Sequence, residues 1–216
     1  MANAAYEGKT RYQQVEVADN YDAKRFTSLK GRITNRLEVA RIEQALQIAN
    51  VSGEVLDLPC GTGRMTEMLL NKGFRVTAGD ISEEMMKHAR ERTSRFGDQV
   101  SFVSCDVENL EFAENRFDLI LTMRLIHHIP PDLHGRVLSQ LWKTTAAWVI
   151  ISFSNKYSLQ SARRNIVALF TKAPRYSISV ARFKKEAREA GFKIRKINRL
   201  FPIVSESVIV LLEKQH

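Results

Sequence analysis

The residues best placed for chemistry are an aspartate and the glycine turn that follows it. In the run VLDLPCGTGR, residues 55–64, Asp57 precedes Gly61 and Gly63 by four and six positions. Glycine lets the backbone approach a ligand closely and adopt positive φ, and a helix N-terminus directs free N–H groups at polar ligands. The run therefore predicts a strand, a turn and a helix that together bind a nucleoside cofactor.

The spacing of this turn argues against a dinucleotide. The NAD fingerprint has the spacing G-x-G-x-x-G, and Thr66 stands where its third glycine would be. A carboxylate such as Asp57 beneath the turn also suits a cationic ligand better than a pyrophosphate.

Two more aspartates, Asp80 and Asp106, end the second and third predicted strands, 23 and 26 residues after the preceding acid. Open α/β sheets bind ligands at the carboxyl ends of their strands, so the three acids are expected to meet at one edge. A carboxylate at Asp80 suits the two hydroxyls of a ribose, and Ile81 after it suits a face of the adenine.

The elements that must position these residues alternate between strand and helix. This alternation predicts an α/β fold, a doubly wound and mostly parallel sheet. The last two predicted strands have no room for a crossover helix between them, so they are expected to form an antiparallel C-terminal hairpin. The predicted strands are residues 55–58, 74–78, 100–103, 117–123, 147–153, 193–198 and 206–212.

The pattern D-x-x-x-G-x-G resembles motif I of the class I S-adenosylmethionine (SAM)-dependent methyltransferases. The segment GDISEEMMKHAR, residues 79–90, resembles the second motif of that family, and FDLILTMRLIHHI, residues 117–129, resembles its strand-four motif. The resemblance covers about residues 50–155. It implies the Rossmann-like class I fold, SAM as the cofactor and S-adenosylhomocysteine (SAH) as the product.

The resemblance also implies a set of cofactor contacts. Asp106 would take the adenine amino group and the Val107 N–H a ring nitrogen, while carbonyls near Met123 and Arg124 would receive the SAM ammonium. The sequence departs from motif I at Pro59, which stands where the motif has its first glycine and which has no backbone N–H. The implied cofactor residues are Asp57, Pro59, Cys60, Gly61, Thr62, Gly63, Asp80, Ile81, Asp106, Val107 and Met123.

His127 and His128 follow the fourth strand, beside the expected methyl position. A neutral imidazole there suits removal of an acceptor proton near pH 7, so both are candidate catalytic residues; the alternative is that one of them only packs the loop.

Missing motifs narrow the class of methyl acceptor. The tetrapeptide N-P-P-Y or D-P-P-Y, which follows the fourth strand in adenine and glutamine amino methylases, is absent. Cys60 and Cys105 lie at the cofactor loops and not near the acceptor, which argues against a covalent mechanism.

These observations favour transfer to an O, N or S atom of a small molecule, anionic or lipid-like in character. The candidate acceptor contacts are Tyr21, Arg25 and Arg124, although for Arg25 and Arg124 an ordinary salt bridge is an equal alternative. An RNA methyltransferase and a SAM-binding protein without transferase activity remain as alternatives. The net charge of +9 keeps the RNA alternative open, but no RNA-binding module or basic–aromatic interleaving is visible.

The 216 residues are expected to form one domain. It would comprise an N-terminal helical cap (1–49, interrupted near Gly31), a cofactor-binding core (50–153), a lid over the acceptor (154–180) and a C-terminal helix with hairpin (181–216). The basic, partly apolar lid leaves a peripheral membrane contact open. The two cysteines have no metal-ligand spacing, so no metal site is predicted. With no secretory signal visible, we expect a cytoplasmic monomer or homodimer.

Overall fold

The computed structural model describes residues 28–161, 176–201 and 205–215. Within them a seven-stranded sheet has the strand order β3-β2-β1-β4-β5-β7-β6. The strands are β1 (Glu54–Asp57), β2 (Arg75–Asp80), β3 (Val100–Ser104), β4 (Phe117–Thr122), β5 (Thr145–Ser154), β6 (Phe192–Arg199) and β7 (Ser207–Lys214).

The described helices alternate with these strands. They are α1 (Leu29–Ala49), α2 (Arg64–Asn71), α3 (Glu83–Thr93), α4 (His134–Thr144) and α5 (Val180–Glu189), with 3₁₀ turns at Ser94–Gln99 and Ile126–His128. None of them combines the length and the apolar character needed to cross a bilayer.

The sheet confirms the predicted fold class. Strands β1 to β5 pair in parallel, whereas β7 runs antiparallel to both β5 and β6. Because β6 and β7 have no crossover helix between them, they form the expected hairpin, and β7 inserts between β5 and β6. All five parallel strands therefore end at one edge of the sheet, which we call the carboxyl edge.

The sheet carries a packed apolar layer on each face. Successive side chains of a strand point to opposite faces, so Val55 and Leu56 enter different layers. The Leu56 layer includes residues of α4 and α5, and the Val55 layer includes residues of α1 and α2. Burial on both faces fixes the strand ends that carry the candidate site.

One local prediction is wrong. Gly31 does not divide the N-terminal helix: α1 runs from Leu29 to Ala49, and Gly31 lies in its first turn. The Ser28 hydroxyl caps this turn by accepting the Gly31 N–H at 3.0 Å. A glycine in the first turn is compatible with the helix because its N–H is satisfied by the cap and not by a preceding carbonyl.

Candidate active site

A pocket opens at the carboxyl edge between the ends of β1, β2 and β4. Its open space, mouth included, is about 830 Å³. The turn after β1, the end of β2 and the loop after β4 supply most of its wall. The lining residues are Pro59, Cys60, Gly61, Thr62, Arg64, Met65, Asp80, Ile81, Met85, Met123, Arg124, Leu125 and His128.

The two glycines of the turn serve different purposes. Gly63 has φ +78°, and a Cβ added there would meet the backbone Cα of Ala89 at 2.8 Å, so this glycine lets α2 start against α3. Gly61 has φ +53°, and an added Cβ would have no atom within 4 Å. Gly61 therefore faces open space on the pocket side, where a ligand can approach its backbone.

Asp80 lies in the pocket wall and also holds the turn. One carboxylate oxygen accepts the Gly61 N–H at 2.8 Å, and the other accepts the Ser82 N–H at 3.0 Å. Burial raises the pKa of Asp80, while the hydrogen bonds from Ser82 and Gly61 oppose the rise. Each oxygen has a second lone pair, so the carboxylate can also accept hydroxyls of a ligand.

Asp57 lies outside the lining of the pocket. Its side chain is fully buried, and its Oδ2 accepts the Thr66 hydroxyl at 2.6 Å. Its Oδ1 has no hydrogen-bond partner among the described residues. Burial, assisted by the nearby Asp80, raises the pKa of Asp57 to about 7 even though the Thr66 hydrogen bond opposes the rise. Asp57 is thus a buried residue whose carboxyl group is held in place by the Thr66 hydroxyl.

The third acid also differs in position from Asp80. The Asp106 carboxylate accepts the Glu108 N–H at 3.0 Å, and Val107 is buried in the core. Neither residue lines the pocket. Their roles toward the adenine stay predictions.

Neither cysteine has the properties of a nucleophile. Cys60 lines the pocket, and burial raises the pKa of its thiol well above the usual range. Burial likewise raises the pKa of Cys105 to about 12. Thiol nucleophiles react as thiolates, so these environments agree with the prediction that the chemistry is not covalent.

The structure separates the two histidines. Their ring centroids are 4.1 Å apart, but only His128 lines the pocket. His127 is 6% exposed, and its backbone carbonyl accepts the Tyr176 N–H at 2.9 Å. His128 therefore stays the candidate for contact with an acceptor. His127 is buried, as expected for the alternative in which one of the two histidines only packs the loop.

Arg124, a predicted acceptor contact, lines the pocket but has a protein partner. Its guanidinium Nη2 lies 2.7 and 2.6 Å from the two carboxylate oxygens of Glu38 in α1. This is the ordinary salt bridge that the sequence left as the alternative. The other two predicted acceptor contacts, Tyr21 and Arg25, lie outside the described residues.

Several residues of the site were not found from the sequence. Glu38 and Ser152 contact Arg124, and the side chain of Arg64, at the start of α2, donates to Asn35 of α1. Arg64 could have been predicted as a site residue, because it is the first residue after the glycine turn. Nothing in the sequence indicated Glu38 or Ser152, since each lies on an element remote in sequence from Arg124. Met65, Met85 and Leu125 also line the pocket.

Comparison with known proteins finds similar proteins among methyltransferases. A methyltransferase domain model matches residues 55–147. A magnesium-protoporphyrin O-methyltransferase from Rhodobacter capsulatus is 32% identical over 149 residues, which is 68% of this chain and 65% of the relative. A ubiquinone biosynthesis O-methyltransferase from Nitrosospira multiformis is 27% identical over 173 residues, 76% of this chain and 71% of the relative. The alignment thus spans slightly less than two thirds of the Rhodobacter relative.

A solved structure shares the whole fold. The magnesium protoporphyrin IX methyltransferase from Synechocystis PCC 6803 with bound SAH superposes with a TM-score of 0.79 at 20% identity, covering 96% of this chain and 100% of that one. The domain match begins at the first strand and includes the glycine turn, Asp80 and the histidine loop. The matched domain and the fold are those of the class I SAM-dependent methyltransferases.

Proposed function

We propose that this protein transfers the methyl group of SAM to an oxygen atom of a small molecule bound at the carboxyl edge. The observation that carries the proposal is the pocket itself, which has Asp80, Gly61 with its open face and His128 in one lining. Oxygen is favoured because the Rhodobacter and Nitrosospira relatives are both named as O-methyltransferases.

The residues of the pocket fit SAM. Asp80 offers spare lone pairs for the two ribose hydroxyls, and Ile81 beside it offers an apolar surface for the adenine. The open space before Gly61 admits close approach of the ligand to the backbone. Met123, after β4, lines the opposite side, where its carbonyl suits the ammonium group.

The protein itself has few chemical tasks in this reaction. SAM, when bound, supplies an activated methyl group whose thioether leaving group needs no proton. The chain must hold the acceptor oxygen in line with that group and exclude water. A hydroxyl acceptor must also lose its proton, and His128 is the pocket residue suited to receive it.

One experiment tests the proposal. Purified protein is incubated with methyl-labelled SAM and a metabolite extract, with and without nuclease, and labelled products are separated by size and polarity. We expect a labelled small molecule that survives nuclease and is lost in the Asp80→Ala variant. Label in nuclease-sensitive material would instead support the RNA alternative, and binding of SAH without any transfer would support a SAM-binding protein.

A further inference from the structure

Arg124 has a backbone conformation that its residue type disfavours. It is the second residue after β4 and has φ +60°, in the left-handed region that side chains other than glycine rarely adopt. Its neighbours Met123 and Leu125 both line the pocket. The backbone conformation of Arg124 therefore determines how Met123 and Leu125 are oriented toward the pocket.

Two contacts hold this conformation. The Arg124 backbone N–H donates to the Ser152 hydroxyl at 2.7 Å, which fixes the loop to β5. The guanidinium binds both carboxylate oxygens of Glu38, a residue only 2% exposed. A charge-assisted contact to a buried carboxylate is strong and directional, so it resists relaxation of the backbone to negative φ.

Glu38 itself does not line the pocket, and it belongs to a helix that precedes the glycine turn in the chain. The same helix also contacts the second pocket arginine, because Asn35 accepts from Arg64. Both arginines of the pocket wall are thus held from α1. This is more than anchoring a helix on a sheet requires, since α1 already packs on the sheet through Ile42, Ala45 and Leu46.

We propose that Glu38 is a positioning residue of the cofactor pocket: through Arg124 it fixes the left-handed backbone that orients the Met123–Leu125 segment toward the cofactor. The inference rests on the proposed function, because it assigns this pocket to SAM. Glu38 does not line the pocket, and it acts on the pocket through its contact with Arg124.

The test compares two double variants that carry the same change at Glu38. Glycine adopts φ +60° freely and alanine does not, so Glu38→Gln/Arg124→Gly keeps the loop conformation accessible while Glu38→Gln/Arg124→Ala opposes it. Replacing Glu38 by Gln in both removes the buried charge that loss of Arg124 would otherwise leave unpaired. Affinity for SAH is measured by calorimetry and folding by thermal melting.

We expect the glycine double variant to bind SAH within about threefold of the wild type and the alanine double variant to bind on the order of tenfold more weakly. The single variant Glu38→Gln should also weaken binding. Its matched control is Glu43→Gln, which removes another α1 ion pair, with Lys72 at 2.6 Å, away from the pocket. The control should bind SAH as the wild type does.

The failure modes are distinct. If the wild type does not bind SAH, the proposed function is wrong and this inference is overturned with it. If the wild type binds SAH but the glycine and alanine double variants bind equally, the inference alone is overturned. It is also overturned if Glu38→Gln lowers the melting temperature and leaves the SAH affinity at the value of the Glu43→Gln control.

Discussion

The carboxylate of Asp80 accepts the backbone N–H of Gly61 at 2.8 Å, so the acid that ends β2 and the glycine turn that follows β1 form one unit. The second oxygen of the same carboxylate accepts the Ser82 N–H at 3.0 Å. Any change at Asp80 should therefore act on the proposed ligand contact and on the turn together.

Asp80→Asn is expected to weaken SAH binding by about 10- to 100-fold, as loss of hydrogen bonds to a charged group costs about 1.5–3 kcal/mol. An amide has only one acceptor oxygen, so it cannot satisfy both Gly61 and Ser82. Calorimetric titration with SAH measures the effect. The control is Asp118→Asn, because Asp118 accepts the Glu54 N–H at 3.0 Å at the opposite edge of the sheet. Equal affinities for the two variants would contradict the assignment of Asp80 to the ligand.

Asp57 should make stability depend on pH. Its pKa rises from 3.8 to about 7 on folding, because burial disfavours the charged form. The folded chain therefore keeps a proton that the unfolded chain has lost, and the stability from the neutral carboxyl, fully present below pH 3.8, is lost as pH rises toward 7. The loss is at most about 1.4 kcal/mol per pH unit.

Asp57→Asn should flatten this dependence, since an amide does not titrate and its oxygen can still accept the Thr66 hydroxyl. Urea unfolding of wild type and variant at pH 5, 6, 7 and 8 measures it, with the variant gaining relative stability as pH rises. The raised pKa of Asp80 gives the wild type a slope of the same sign, so some slope should remain in the variant. Parallel curves for the two proteins would show that Asp57 does not titrate in this range.

The two histidines should respond differently to the same substitution. Because His128 is the proposed base, His128→Asn is expected to lower the rate of methyl transfer by about 100-fold or more and to leave SAH affinity unchanged. His127→Asn replaces a buried ring, so its main effect should be a lower melting temperature. Single-turnover rates with the acceptor found in the extract experiment test this. An equal loss of rate in both variants would reject His128 as the specific base.

The two turn glycines offer a second paired comparison. Gly63→Ala should cost about 2–5 kcal/mol of folding free energy, the sum of strain at positive φ and overlap with Ala89. Gly61→Ala meets no atom and should cost only about 1–2 kcal/mol, yet it fills the space in front of the cofactor. Denaturant unfolding and SAH titration of both variants separate the effects. A Gly61→Ala protein that binds SAH normally would place the ligand elsewhere in the pocket.

Much of the fold was predictable because it depends on local signals. Apolar runs marked the strands, and glycines, prolines and the Ser82 cap marked their ends. The hairpin followed from the short connection between β6 and β7. The prediction at Gly31 was wrong because a glycine within a helical pattern usually indicates a helix break. The Ser28 cap, which satisfies the Gly31 N–H, is evident only in the structure.

The sequence by itself determined which residues end the strands, and so that Asp80 and Gly61 share the carboxyl edge. Only the tertiary structure decided how their neighbours are used: His128 faces the pocket while His127 is buried, Asp57 lies outside the pocket wall, and Arg124 is held by Glu38. The physical reason is that strand positions follow from periodicity along the chain. The direction of a side chain beyond a strand end depends instead on loop dihedrals, and its charge is taken up by partners that packing brings from elsewhere in the chain.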